Sequence, residues 1–123
     1  MARVQTPDFS GRSGMWVQWQ DVQDFSTSLS AYPIKADSPV TGEWGFGEHE
    51  QYRQIIKIAI GPKGATGDLL VDASLANYYD PALRCSARFQ TDYPSVSNFR
   101  NGIESMMHNR SGRAVLEGSE DVR

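Results

Sequence analysis

The sequence has one cysteine, few histidines and no long apolar run, and each shortage excludes a class of protein. The single cysteine, Cys85, cannot form a disulfide or a thiolate metal cluster within one chain. No apolar stretch approaches the ~18 residues that a membrane-spanning helix requires. The first fourteen residues lack the apolar core of a secretory signal. We therefore expect a soluble, cytoplasmic protein with no membrane association and no cofactor.

Basic residues are also scarce, which bears on the partners that the chain could bind. Twelve Lys and Arg stand against fifteen Asp and Glu, and the net charge is −3. Residues 1–50 carry three basic and seven acidic side chains, whereas the remainder carries nine basic and eight acidic ones. Nucleic-acid binding requires a clustered excess of Lys and Arg, so we do not expect it. A charged partner of the acidic half would be basic, although an ordinary solvated surface has the same composition.

What is present is the composition of one folded domain. The 123 residues are 39% hydrophobic and 22% charged, and a chain of this length buries roughly two-thirds of its unfolded surface. Residues 1–14 contain Pro, Ser and Gly but few apolar side chains, so we predict a flexible N-terminal tail. We assign residues 15–118 to a single domain and residues 119–123 to a polar C-terminal tail.

Alternation of apolar and polar side chains predicts a series of strands. These strands would cover residues 15–20, 24–34, 50–62, 69–79 and 83–91. In the last of them, four residues would face inward: Leu83, Cys85, Ala87 and Phe89. Short turns join the last three strands, so we expect them to form an antiparallel meander.

The periodicity becomes helical after the last of these strands. Five apolar residues recur at helical spacing, namely Val96, Phe99, Ile103, Met106 and Met107. Gly102 lies mid-helix, where we expect it to let the helix approach the sheet closely. Residues 112–118 predict a short final strand. The predicted fold class is α+β: a curved antiparallel sheet of about six or seven strands, with one helix over about residues 95–109 packed on one face.

One stretch, TGEWGFGEHEQY at residues 41–52, concentrates glycine, aromatic and acidic side chains. Its G-x-x-G-x-G spacing matches neither the dinucleotide fingerprint nor a Walker loop, so it indicates a turn or bulge. Glu48, His49 and Glu50 offer metal ligands. On a strand, however, the two glutamates would share one face and His49 would point away. We expect no metal site here.

Nucleophilic catalysis needs a Ser or Cys beside a base, and the sequence gives no such pair. Cys85 falls on the apolar face of its predicted strand, where a cysteine packs as a small hydrophobe. The G-x-S-x-G motif of α/β-hydrolases is absent from the sequence. We therefore expect a protein that is not an enzyme.

Two groups of residues are candidates for binding. Arg84 and Arg88 lie on one predicted strand face, where they could bind an anion or a partner carboxylate, or form cross-strand ion pairs. Four large aromatics fall in the first half of the chain, where they could contact a partner beside the acidic residues or fill a second small core: Trp16, Trp19, Trp44 and Phe46.

The C-terminal half has a recognisable pattern. The segments GDLLVDASL, CSARFQTDYPSVSNFRNGIESM and GRAVLEG, within residues 67–118, resemble small bacterial domains in which strands lead into one helix and a short final strand. Some of those domains are described as immunity proteins of polymorphic-toxin systems. The resemblance implies a soluble, non-catalytic protein that binds a cognate toxin. It gives no counterpart for the N-terminal half and therefore carries over no site residue.

The leading hypothesis is a non-enzymatic bacterial or phage protein that binds another, basic protein, as an immunity-type inhibitor does. The predicted binding residues come from the opening half: Trp44, Phe46, Glu48, His49 and Tyr52. One alternative is a small-ligand-binding domain with a pocket between sheet and helix, and another is a small hydrolase. A homodimer through a sheet edge is compatible with each.

Overall fold

The computed structural model describes residues 2–5, 10–15, 17–64, 67–109 and 112–119. Its helices are α1 (Trp19–Ser28) and α2 (Tyr93–Asn109), and a single 3-10 turn covers His49–Gln51. Its strands are β1 (Ala2–Gln5), β2 (Ser10–Ser13), β3 (Val40–Phe46), β4 (Arg53–Pro62), β5 (Leu69–Ala76) and β6 (Arg84–Thr91). The α+β class is confirmed.

A four-stranded antiparallel sheet in the order β3-β4-β5-β6 forms the centre of the fold. The meander predicted for the last three of these strands is confirmed, with Ile58 opposite Ala73 and Ala73 opposite Ala87. The prediction of six or seven strands in one sheet is wrong, because β1 and β2 pair only with each other as a separate two-stranded sheet.

The glycine pattern in residues 41–52 predicts a turn or bulge, but most of β3 comes from this stretch. A bulge is present within the strand pair. Trp44 lies opposite Ile56 and Gly45 lies opposite Gln54, so Ile55 has no partner in β3. An extra residue of this kind bends the strand and increases its twist. Ile55 is fully buried at this bend.

Both helices contribute to a core on one face of the sheet. The buried core residues are Phe25, Leu29, Ile34, Val40, Ile60, Leu69, Val71, Val96, Ile103 and Met107. The predicted C-terminal helix is confirmed, and it begins at Tyr93. Asp92 caps it, since the Asp92 carboxylate accepts a hydrogen bond of 2.8 Å from the backbone N–H of Ser95. No helix among the described residues is long and apolar enough to cross a membrane.

The predicted strands over residues 15–20 and 24–34 are wrong, because α1 occupies this part of the chain. The Ser-Thr alternation that suggested a strand hides a helical repeat. Val22, Phe25 and Leu29 are spaced three and four residues apart, and all three pack into the core. Burial of this stripe outweighs the weak helix propensity of the Ser and Thr residues. The prediction of a single helix is wrong, because α1 joins α2 on the same side of the sheet.

The N-terminal residues that we expected to be a flexible tail contain the β1–β2 hairpin. The Ser13 hydroxyl donates a hydrogen bond to the carbonyl of Ala76 at the end of β5. Gly11 lies against Cys85, where a Cβ atom at residue 11 would overlap the sulfur. The hairpin therefore rests on the sheet, and glycine is required at its contact with Cys85.

The predicted final strand over residues 112–118 is also wrong. The segment runs past the end of β6 and meets it in one isolated bridge, in which Gln90 and Ser119 exchange two backbone hydrogen bonds of 2.8 Å. Gly102 of α2 approaches this segment rather than the sheet, since a Cβ atom there would lie 3.0 Å from the Cβ of Ala114. The tight contact that we expected of Gly102 exists, but with a different neighbour.

Candidate functional site

The side chain of Trp44 lies against the core. Its ring meets that of Phe25 edge-on, with the two centroids 5.4 Å apart. Val40, Gly42 and Trp44 share the inner face of β3, since alternate residues of a strand point the same way. We therefore remove Trp44 from the predicted binding surface. Of the two other tryptophans, Trp19 is exposed at the start of α1, and Trp16 lies outside the described residues.

Glu43 and Tyr52 form a pair on the opposite face of β3. The Tyr52 hydroxyl donates a hydrogen bond of 3.2 Å to Oε2 of Glu43. The Tyr52 ring crosses Gly45, where a Cβ atom would come within 2.8 Å of the phenol oxygen. Partial burial raises the pKa of Tyr52, and the hydrogen bond to Glu43 and its negative charge raise it further. Gly45 thus provides the space in which Tyr52 holds the Glu43 carboxylate in place.

The turn after β3 carries the other predicted site residues. Glu48, His49 and Glu50 are all exposed, and His49 has a left-handed backbone conformation with φ of 52°. The turn replaces the strand geometry that we expected for these three residues. Arg53 braces it by donating hydrogen bonds to the carbonyls of Glu50 and Tyr52. In the part of the chain that the structure describes, no group of three or more His, Cys, Asp or Glu side chains could hold a metal ion.

Exposed aromatics gather where the β3–β4 and β5–β6 connections meet. Phe46 at the end of β3 packs on Tyr78, with ring centroids 4.9 Å apart, and Tyr78 packs on Tyr79 at 5.3 Å. We call this region the aromatic end and define it as Phe46, Tyr52, Tyr78, Tyr79 and Leu83.

The aromatic end holds most of the exposed apolar surface contributed by large side chains. Within the described ranges, eight large hydrophobic residues are exposed, and five of them belong to this end of the sheet. Tyr79 is 92% exposed and Leu83 63% exposed. Leu83 therefore corrects a prediction: it precedes β6 and faces solvent, whereas Cys85, Ala87 and Phe89 are partly buried, as their alternation indicated.

The β5–β6 connection that carries Tyr78 and Tyr79 is internally braced. The Asn77 side-chain carbonyl accepts hydrogen bonds from the backbone N–H groups of Tyr79 and Asp80, at 2.9 and 3.0 Å. Backbone hydrogen bonds close the loop, from Asn77 to the Leu83 carbonyl and from Leu83 to the Asp80 carbonyl. The Asn77 side chain thus imitates a backbone turn and fixes the chain that presents the two tyrosines.

The two arginines predicted to bind an anion or a partner both have neighbours within the sheet. Arg88 forms an ion pair of 2.7 Å with Asp72, directly across from it on β5. Arg84 donates hydrogen bonds to the Gln54 carbonyl at 2.6 Å and to the Ser74 hydroxyl at 3.0 Å. Arg84 therefore links β6 to β5 and β4 beside the aromatic end. Both guanidinium groups thus bind partners within the sheet.

The sequence interpretation missed Tyr78, Tyr79 and Leu83. A signal for them exists in the run YYDPAL, because two adjacent tyrosines followed by Asp-Pro mark an exposed turn. The strand predicted over residues 69–79 ends with the two tyrosines, and the strand predicted over residues 83–91 begins at Leu83. Their proximity to Phe46 depends on the pairing of four strands, which no local pattern contains.

The alternative of a small-ligand-binding domain would place a pocket between sheet and helix, where the described residues form a packed core cluster. A cavity of about 260 Å³ lies elsewhere, at the start of α2. Its lining is polar and includes Asp68, Thr91, Asp92 and Glu117. The Thr91 hydroxyl donates a hydrogen bond of 2.7 Å to the Glu117 carbonyl, which fastens the C-terminal segment along this cavity.

Comparisons of the chain with protein-family models, with curated proteins and with solved structures found no significant match. The resemblance of residues 67–118 to immunity-type domains therefore stays a prediction.

Proposed function

We propose that the chain is a non-enzymatic binding protein that recognises another protein through its aromatic end. The observation that carries this proposal is the concentration of exposed aromatic side chains at one end of the sheet. Tyrosine is enriched in protein interfaces and in their energetic hot spots, because one ring covers a large area and also offers a polar group. Surfaces that expose several such rings together mark interaction sites more often than scattered single residues do.

The internal contacts of the aromatic end support the same function. Phe46, Tyr78 and Tyr79 contact one another in series, and Asn77 fixes the backbone that carries the last two. Binding loses less conformational entropy when the contacting side chains are already ordered in the free protein. A braced cluster of rings is therefore suited to binding a preformed surface.

The charges around the aromatic end indicate which kind of partner would bind there. Four acidic residues lie on or beside it: Glu43, Glu48, Glu50 and Asp80. Against these stand Lys57, opposite Glu43 on β4, and Arg53 and Arg84, whose guanidinium groups already donate to neighbouring carbonyls. A partner with apolar and basic side chains would complement this surface. An immunity-type inhibitor that occludes a basic toxin is a narrower form of the proposal.

Site-directed photocross-linking tests the proposal with a control inside the same chain. A photoreactive phenylalanine analogue is placed at Tyr79 or at Tyr32, which is 79% exposed but lies outside the aromatic end. Each protein is irradiated in an extract of the source cells. We expect one specific protein adduct from position 79 and none of the same mass from position 32.

A second variant shows whether the adduct depends on the surface. Tyr78→Ser removes the ring between Phe46 and Tyr79, and loss of a hot-spot ring weakens binding by about 2 kcal/mol or roughly thirtyfold. We expect the adduct from position 79 to disappear in this background, with an unchanged circular dichroism spectrum. Equal cross-linking from positions 32 and 79, or an adduct that persists in Tyr78→Ser, would contradict the proposal.

A further inference from the structure

The outer edge of β3 is unpaired in the part of the chain that the structure describes. β3 is the first strand of the four-stranded sheet, and among the described strands it pairs with β4 alone. Among the described residues, no backbone group forms a hydrogen bond with the outer side of β3. An edge strand of this kind presents N–H and C=O groups from alternate residues, ready to pair with another extended segment.

The opposite edge of the sheet is different, because the chain partly covers it. Ser119 pairs with Gln90 near the end of β6, and the Thr91 hydroxyl binds the carbonyl of Glu117. Gly118 lies so close to Phe89 that a Cβ atom there would overlap the ring. The C-terminal segment therefore shields part of β6, whereas no described segment covers β3 in this way.

Glu43 places a negative charge at the centre of the open edge. Its carboxylate is exposed and accepts a hydrogen bond from Tyr52 through Oε2. Lys57 lies directly opposite on β4, yet the two side chains form no ion pair. Residues 35–52 as a whole carry four acidic side chains and one lysine. Glu43 is thus the single charged side chain of β3, and Tyr52 holds its carboxylate through Oε2.

A second copy of the chain is a poor occupant for this edge. If two β3 strands paired antiparallel over their full length, Glu43 of one copy would lie opposite Glu43 of the other. Like charges that face each other directly across two strands destabilise the pair. A strand with a basic residue at that position would instead form a favourable cross-strand pair.

We propose that β3 accepts an extended segment of the partner protein by strand addition, with a lysine or arginine of that segment opposite Glu43. Regular pairing is available over residues 40–44, before the bulge at Trp44 and Gly45. This inference rests on the proposed function, because Phe46 ends β3 and belongs to the aromatic end. Backbone hydrogen bonds would supply affinity, and the basic residue would supply register and specificity.

Peptide selection tests this partner chemistry with a defined probe. Phage that display random twelve-residue peptides are selected separately on the wild-type chain, on Glu43→Lys and on Glu48→Lys. Glu48→Lys is the matched control, because Glu48 is an exposed glutamate beyond the end of β3. We expect peptides with a central Lys or Arg from wild type and from Glu48→Lys, and an acidic residue at the same position from Glu43→Lys.

Direct binding then measures the effect of the charge. A synthetic peptide from the wild-type selection should bind Glu43→Lys about five- to tenfold more weakly than wild type, and Glu48→Lys nearly as well as wild type. In ¹H–¹⁵N spectra, the bound peptide should slow hydrogen exchange at alternate backbone amides of β3 and leave β6 unchanged. A preserved spectrum of each free variant shows that it is folded.

The outcomes separate this inference from the proposed function. If peptide binding is lost in Tyr78→Ser but not in Glu43→Lys, and β3 amides gain no protection, the edge proposal is overturned while the aromatic end stands. If β3 is protected but Tyr78→Ser binds normally, the proposed function fails instead. Protection of β3 that grows with protein concentration in the absence of peptide would assign the edge to a second copy and overturn the inference.

Discussion

At the scale of single residues, Tyr52 links the acidic stretch to the sheet. Its ring occupies the space above Gly45, and its hydroxyl holds Glu43. The sequence made Tyr52 a candidate because it stands among glutamates and aromatics. What the sequence could not supply was the partner, because the turn at residues 49–51 must first bring Tyr52 back over β3. A contact between residues nine apart depends on the shape of that turn.

We predict that this contact appears in the pH dependence of stability. Partial burial and the hydrogen bond to Glu43 raise the pKa of Tyr52, so the folded state holds the phenol proton more tightly than the unfolded chain does. The resulting stabilisation is complete below the ordinary tyrosine pKa of about 10 and is lost as pH rises through the higher folded-state pKa. Urea unfolding between about pH 8 and pH 11 measures it.

The control for this prediction is Tyr52→Phe, which keeps the ring and removes the titrating hydroxyl. The free energy of unfolding should fall less steeply above about pH 10 in Tyr52→Phe than in wild type, because one proton linkage has been removed. Tyr79→Phe removes one phenol hydroxyl at an almost fully exposed position and is the matched control for the substitution itself. Parallel curves for wild type and Tyr52→Phe would contradict a raised Tyr52 pKa, and with it the burial of the hydroxyl and its contact with Glu43.

At the scale of elements, β3 packs closely against α1 at a glycine. Gly42 lies beneath the rings of Phe25 and Trp44, and a Cβ atom there would come within 2.7 Å of both. We predict that Gly42→Ala destabilises the fold by about 1–3 kcal/mol, the usual cost of overpacking a core. Gly61→Ala in β4 is the matched control, because its nearest atom would be 3.7 Å away at Pro39. Urea unfolding of both variants measures the difference, and equal stability would contradict this packing.

The elements also show which sequence patterns were sufficient to predict a strand or a helix. β4, β5 and β6 were predictable because each alternates over eight or more residues and short turns join them. β3 was not, because its glycines and aromatics do not alternate in hydrophobicity and its identity as a strand comes from pairing with β4. The helix α1 was missed for the opposite reason: its Ser and Thr residues gave a false alternation over a true helical repeat. In both cases, packing against the rest of the fold determined the secondary structure.

At the scale of the whole molecule, one face of the sheet carries the helices and the hairpin, while the other carries polar rows. Thr41, Ala59, Asp72 and Arg88 lie side by side across the four strands in one such row. Five of the eight exposed large hydrophobic residues in the described ranges lie at the end of the sheet rather than on this face. The open edge of β3 leads directly to that end, so a bound segment would contact the backbone of β3 and the aromatic rings together.

This arrangement leads to a prediction about self-association. Exposed sheet edges promote pairing between copies, and charged side chains are a common protection against it. Glu43 is the only charged residue in β3. We predict that the wild-type chain is monomeric near neutral pH and that Glu43→Thr, which keeps a residue favourable in strands, forms concentration-dependent dimers. Sedimentation velocity over a hundredfold range of protein concentration measures this.

Glu48→Thr provides the control, since it removes the same charge from the turn rather than from the edge. It should stay monomeric, because Glu43 remains on β3 and still keeps two β3 strands from pairing. Glu43→Lys should be monomeric, unlike Glu43→Thr, because two facing lysines repel each other as two facing glutamates do. A wild-type dimer that buries β3, or a Glu43→Thr variant that stays monomeric at all concentrations, would show that Glu43 does not guard this edge. In either case its proposed pairing with a basic partner strand would lose its physical basis.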